Sequence, residues 1–315
     1  MNDSCWLLKW MTIYGVVNIL VHYSNHHISK SQIQNEILFL QSFLPLLIYY
    51  VYYFFMSNRK SFFPSWNRTI AYGPVAVFHA GSLYSMFQAL KYCSFRTVGV
   101  GRFIAPILTS LYEVFVLQSV RWSKIQFLYL VGTFMGAVLS FRDVEFYGNI
   151  LSIPWITTSV VCTAGGTIYA KHLLQYKICP TQASYLENLY CSVFFLLQSF
   201  WSVPYGWKQQ SWKDSVSLPW ITKATFFVSV FTGYLITLSR QHLRKALGPT
   251  KFLVFVGLIR INSLFLVSKL LLKSLSWSGL TGVGLIVGCS IKYLIHQDIK
   301  CSPSGNSKDV AISSP

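Results

Sequence analysis

Apolar residues along the chain gather into ten long runs separated by short polar joints, at 6–23, 37–56, 69–90, 97–118, 122–141, 147–170, 181–203, 218–239, 252–272 and 276–296. Each run approaches the roughly 20 residues that carry a helix across a bilayer. Several contain Gly or Pro, which membrane helices tolerate when neighbours satisfy the freed backbone groups. The segment from 299 onward is polar, holds no helical period and is expected to be a disordered cytosolic tail, 299–315. The first residues carry Asp3 where a basic leader would be, so no cleavable signal peptide is expected. The predicted fold class is an all-α membrane protein, with about ten transmembrane helices in one polytopic domain over 1–298.

Composition agrees with the run pattern. Of the 315 residues 53% are hydrophobic and 17% aromatic, and 11% are charged, against about 25% in an average soluble domain. Mean hydropathy is +0.46. Too little polar surface exists to cover so much apolar side chain, which argues against an ordinary soluble enzyme. The seven cysteines form no C-x-x-C pair, and most lie inside apolar runs, where a thiol is a small buried side chain.

The charge is lopsided, with 26 Lys and Arg against nine Asp and Glu and a formal net charge of +17. On a soluble protein this would suggest nucleic acid. Here the basic residues sit mostly at run ends, so they indicate membrane topology, and no nucleic-acid partner is expected. With both termini in the cytosol, fourteen fall on the cytosolic side and nine opposite, while Lys9, Arg102 and Arg260 lie within helices.

The two halves share an order of short motifs. Gly99-Val100-Gly101-Arg102, Trp122-Ser123 and Gly132-Thr133-Phe134-Met135-Gly136 in the first are echoed by Gly257-Leu258-Ile259-Arg260, Trp277-Ser278 and Gly284-Leu285-Ile286-Val287-Gly288 in the second. Five spans is an odd number, so the halves, about 6–141 and 147–296, would insert with opposite topology. That is the inverted-repeat plan of many secondary transporters, whose site lies between the halves.

A charge inside a span is costly and needs a reason. Arg102 and Arg260 occupy corresponding places in the two halves. Guanidinium keeps its proton and matches phosphate bidentately. Two facing one cavity would balance a pyrophosphate diester; the competing account is a carboxylate partner or snorkelling to an interface. Arg102, Pro106, Thr109 and Glu113 share a helix face, as do Thr181, Ser184 and Asn188. Glu113 would form a structural ion pair or carry a coupled proton. Asn188 and its neighbours would bind a sugar or base, or hold helices together. Glu187 would repel an anion unless paired, with Lys171 as a candidate partner. Lys171 would meet phosphate at the cytosolic mouth or only set topology. His79 reads as a hydrogen-bonded interior residue. His22, His26 and His27 lack the further ligands of a metal site. No metal or other cofactor is expected. No Walker A segment, dinucleotide fingerprint or catalytic set is visible.

From about residue 69 to 296 the chain resembles the nucleotide-sugar transporter family of the drug/metabolite transporter superfamily, nearest its UDP-sugar and GDP-mannose branch. The resemblance is carried by Leu83–Phe95, Thr97–Glu113, Tyr147-Gly148, Ile168-Tyr169-Ala170-Lys171, Tyr185-Leu186-Glu187-Asn188 and Gly257-Leu258-Ile259-Arg260. This chain departs in keeping one Arg where the family has two, in Glu187 beside the expected Asn, and in lacking G-A-L-N-K; Gly248-Pro249-Thr250-Lys251 does not replace it. The resemblance implies ten transmembrane helices in two inverted five-helix repeats, in the Golgi or endoplasmic-reticulum membrane. It also implies antiport of a cytosolic nucleotide sugar, UDP-sugar favoured, for lumenal nucleoside monophosphate. Arg102, Arg260, Lys171, Asn188 and Tyr185 would bind substrate. Membrane lipid surrounds such a protein, and a homodimer is compatible with it. The alternatives are a sugar-phosphate or organic-anion carrier of the same superfamily and a non-transporting membrane scaffold.

The sequons Asn2-Asp3-Ser4 and Asn67-Arg68-Thr69 both fall on the cytosolic side of this arrangement. Mass spectrometry of the native protein should find neither glycosylated, whereas glycan on Asn67 would invert the topology.

Overall fold

The computed structural model describes residues 3–28, 34–55, 64–118, 123–140, 149–176, 178–201, 220–270 and 277–296. Among them the chain is helical throughout, with no strand. The helices are α1 (Asp3–Ile28), α2 (Gln34–Phe55), α3 (Trp66–Leu90), α4 (Phe95–Arg102), α5 (Ile104–Phe115), α6 (Lys124–Ser140), α7 (Ser152–Tyr176), α8 (Pro180–Trp201), α9 (Trp220–Ala246), α10 (Pro249–Leu270) and α11 (Trp277–Ile295). Phe103 alone separates α4 from α5, so the two make one interrupted rod. Ten rods result, one for each apolar run.

The interruption has a local cause. Pro106 brings no N–H to the carbonyl of Arg102, and its ring crowds that carbonyl. The backbone tightens there, with Phe103 N donating to Val100 O at 3.0 Å. Arg102 therefore sits at a helix break.

Packing pairs the rods across the two halves. The most extensive contacts join α3 to α7, α6 to α11, α1 to α9 and α2 to α8. Exchanging the first five rods with the last five, in order, turns the α3–α7 pair into the α9–α1 pair and leaves the other two unchanged. The fourth and ninth rods also pack on each other through α5 and α10.

Polarity runs from apolar outside to polar inside. Phe54, Phe55, Val77, Phe115, Leu128 and Leu197 are exposed, whereas Asn18, Thr109, Glu187, Asn188, Gln241 and Arg244 are buried. Among the described residues two helices, Thr97–Phe115 and Trp277–Ile295, are long and apolar enough by length and composition to cross a membrane.

Three helices end well beyond their apolar runs; α1 continues from 23 to Ile28. α7 continues to Tyr176 because Leu173 and Leu174 pack into a core cluster with Tyr72, Val75 and Leu186. α9 was expected to end at 239 but reaches Ala246, because Gln241, Leu243 and Arg244 are buried there. It stops where Gly248 and Pro249 break the helical pattern. This corrects the placing of Arg240 and Arg244 in a cytosolic joint. Both point inward, and the basic bias narrows to twelve against nine. The tail 299–315, Trp122, Tyr147-Gly148 and the side chains of His22, His26, His27 and Asn262 lie outside the described residues.

The glycine motifs divide by use. A Cβ on Gly136 would stand 2.8 Å from Gly282 O, and one on Gly282 would strike the backbone and hydroxyl of Ser140. Helices α6 and α11 thus touch through backbone. Gly284 and Gly288 have nothing within 4 Å of such a Cβ. Gly282→Leu should destabilise the protein by about 1–3 kcal/mol or more, and Gly284→Leu by far less, in thermal unfolding of the detergent-solubilised chain.

Candidate functional site

Two adjoining cavities, of about 170 and about 80 Å³, lie between the halves. Six residues line both: Tyr14, His79, Leu83, Arg102, Arg240 and Arg260. The wall between the lobes therefore carries three guanidiniums, from α4, α9 and α10. The larger lobe adds the amides of Asn18, Gln41 and Asn188 with Thr237, and apolar Met86, Phe87 and Leu90. The smaller adds Ser82, Thr163, Thr167 and Arg244 beside Phe252 and Val256.

Glycines bring the wall together. A Cβ on Gly101 would strike the Ile156 side chain, and one on Gly257 would stand 2.9 Å from the Phe103 ring. The first lets α4 lie against α7. The second lets the residue after Arg102 pack on α10, one turn from Arg260.

Each guanidinium has a different environment. Arg102 Nη2 donates to Ser159 Oγ at 3.0 Å and, at 3.4 Å, to Ser82 O and Oγ. These partners are neutral, so its charge is not compensated. Arg260 has no hydrogen bond or ion pair among the described residues. Arg240 Nη2 donates to Glu187 Oε1 at 2.6 Å, while its buried Nε has no partner.

Glu187 is only 1% exposed and is held from several directions. His79 Nε2 lies 3.1 Å from Oε1, and Arg244 Nη1 stands 3.8 Å from Oε2. Gln241 Nε2 donates to Oε2 and, at 3.0 Å, to Tyr72 Oη. The carboxylate expected to pair with Lys171 pairs instead with Arg240. The four guanidiniums lining the lobes face this single carboxylate, which leaves a formal surplus of three positive charges.

The remaining expected residues lie elsewhere or act otherwise. Asn188 lines the larger lobe, but its amide donates to Ser184 O at 2.8 Å and Thr237 Oγ1 at 3.3 Å. Ser184 in turn accepts from Tyr49 Oη at 2.6 Å. Tyr185 is off both lobes and meets the Tyr49 ring edge-on, with centroids 6.1 Å apart. Lys171 Nζ donates to Lys245 O at 2.6 Å, so it caps the last turn of α9. Glu113 accepts from the Thr250 hydroxyl and, at 3.2 Å, from Thr250 N, so it caps the first turn of α10. Lys171 and Glu113 thus hold the two sides of the α9–α10 corner.

Arg240 is the charged wall residue that sequence reasoning passed over, whereas His79, expected as a hydrogen-bonded interior residue, lies against Arg240 and Glu187. The available signal was Arg240, Gln241 and Arg244 at helical spacing, ahead of the Gly248-Pro249 stop.

No family model matches the chain, and no curated protein matches it. A solved crystal structure described only as that of a protein matches with a TM-score of 0.67 and 13% identity, covering 92% of this chain and 95% of its own. At that identity the likeness is one of fold alone.

Glu113→Ala should lower stability by about 1 kcal/mol, the usual loss of a helix N-cap. Denaturant unfolding followed by tryptophan fluorescence measures it, and Glu113→Gln, which keeps an acceptor, should recover part of the loss.

Proposed function

We propose that the chain is a ten-span carrier of phosphorylated organic anions, working by alternating access between two inverted five-helix repeats. Nucleotide sugar, UDP-sugar favoured, would be exchanged for nucleoside monophosphate across a Golgi or endoplasmic-reticulum membrane. The observation that carries this reading is the wall of Arg102, Arg240 and Arg260 shared by both lobes between the halves. Two of those cations have no carboxylate partner among the described residues. A protein built only to fold would pair or remove them, because an uncompensated charge in a low-dielectric interior is costly. A phosphate supplies the missing partner, and guanidinium geometry suits it.

Three further observations support the reading. The exposed surface is rich in large apolar side chains, as contact with lipid requires. Contacts between rods map onto one another when the halves are exchanged. Arg102 sits at an interrupted helix, a feature of transporter binding sites. The rods that fail the length-and-composition test for spanning include α9, whose Arg240 and Arg244 turn inward to the cavity.

In the unliganded protein the surplus charge opposes passage through an occluded state. A bound anion neutralises it and lowers that barrier, which makes exchange the expected mode. The amide of Asn18 lines the larger lobe, and its Oδ1, which has no partner among the described residues, is placed to meet a base or sugar. The volumes favour a second reading. Both lobes are below the roughly 300–1,000 Å³ of pockets for larger ligands, so a smaller phosphorylated metabolite fits this conformation with less opening. Competition by UMP or GMP separates the two, since a sugar-phosphate carrier ignores the base.

Liposomes preloaded with UMP or GMP should accumulate a labelled UDP- or GDP-sugar saturably, and uptake should need the internal nucleotide. Arg102→Ala and Arg260→Ala, each shown to be folded, should lower uptake at least about tenfold. Absence of nucleotide-sugar uptake by folded wild-type protein would turn the assignment to the smaller metabolite or to a scaffold.

A further inference from the structure

We infer that Glu187 is a fixed internal counter-ion that sets how much negative charge the cavity accepts. This rests on the anion-carrier reading of the same site and adds a specificity-determining residue to it. Glu187 lines the larger lobe, yet its side chain is held by Arg240, His79, Gln241 and Arg244. A carboxylate fastened from α3 and α9 at once does not swing away when a ligand enters. It remains a permanent negative charge on the wall.

Its effect falls first on Arg240. One Nη2 of that fork is taken by Glu187, Nη1 reaches only His79 at 3.5 Å, and Nε has no partner. Arg240 is thus half committed, while Arg102 and Arg260 are free of carboxylates. The larger lobe itself is lined by three guanidiniums and one carboxylate, a local surplus of two; Arg244, on the smaller lobe, brings the surplus over both lobes to three. A nucleoside monophosphate and a pyrophosphate diester each carry about two negative charges near neutral pH. A nucleoside diphosphate carries one more and meets Glu187 unbalanced.

Glu187→Gln keeps the shape and an acceptor for Arg240 but removes the charge. The local surplus at the larger lobe then rises to three, and the preference moves towards ligands carrying the extra negative charge. If Glu187 were only a structural partner, its loss would lower stability and weaken every anion alike.

The test uses the purified full chain in lipid nanodiscs, with binding of UMP, UDP and a UDP-sugar measured by calorimetry. In Glu187→Gln the ratio of UDP to UMP affinity should rise about tenfold over wild type, the size expected of one added charge at partly shielded range. Arg240→Gln should move the ratio the other way. The double variant, which restores the net charge, should return it towards wild type. If Glu187→Gln alone does not fold, the other two variants carry the comparison. Ratios that stay within about twofold of wild type in every folded variant would overturn the inference and leave the carrier reading intact. Failure of wild-type protein to bind any of the three ligands would overturn both.

Discussion

A carboxylate buried between helices must find its partners on other helices, and in this protein Glu187 finds them on α3 and α9. The Arg240 bond, the His79 contact and the bridge through Gln241 to Tyr72 tie three rods into one unit. Removing one member of such a cluster costs about 3–5 kcal/mol, because the others stay buried without it. The cluster also explains why α9 runs past its apolar stretch. Arg240, Gln241 and Arg244 are inward residues on the helix, so the chain stays helical until Gly248 and Pro249 turn it. That turn sets where α10 begins, and with it the height of Arg260. Lys171 and Glu113 then hold the corner from its two sides.

Charge is balanced at Glu187 and left unbalanced a short distance away. Arg102 is held by hydroxyls and a carbonyl, which fix its direction without cancelling its charge. Arg260 has not even those. The same interior therefore contains one well-paired cluster, which fixes the fold, and two cations whose partner is not supplied by the described chain. Folding alone accounts for the first arrangement. On the proposed reading the second is accounted for by a ligand that arrives from outside, which is why that reading rests on the wall rather than on the cluster.

The helices were legible in the sequence because a bilayer-length apolar run is a strong, local signal. All ten runs correspond to a rod, within a few residues except at α1, α7 and α9. Of the two G-x-x-x-G motifs, Gly136 of the first meets Gly282 across a helix contact, whereas Gly284 and Gly288 of the second meet nothing. Arg102 and Arg260 stood out because each interrupts an apolar run. Arg240 did not, because it lies at a run's end, where a basic residue ordinarily marks topology. The partners of Glu187 were hidden for a different reason: pairing across α3, α8 and α9 is a property of the packing, with no trace in local spacing. Lys171 and Glu113 were visible as charges, but their role as helix caps depends on a corner contributed by another part of the chain.

Among the described residues the two ends of the site differ in their contacts. At the α9–α10 corner the cross-links are polar or stacked: Lys171 to Lys245 O, Glu113 to Thr250, Lys251 Nζ to His296 O, and Trp10 stacked on His242 with centroids 4.1 Å apart. Towards the other end the larger lobe is bounded mainly by Leu38, Met86, Phe87 and Leu90, with Gln41 and Ser42 beside Leu38 and Asn149 N donating to Tyr92 O at 3.0 Å beyond Leu90. Apolar side chains can part without leaving a donor or acceptor unsatisfied, whereas opening the corner exposes helix ends that Lys171 and Glu113 now cap. In the orientation expected from the basic residues, the corner is the cytosolic end. On the carrier reading, the apolar end is then the lower-energy gate in the empty protein. Opening the corner instead requires a compensating gain, and neutralising Arg102 and Arg260 is the largest gain that the site offers. On the carrier reading, a bound anion is thus both the cargo and the condition for the harder of the two openings.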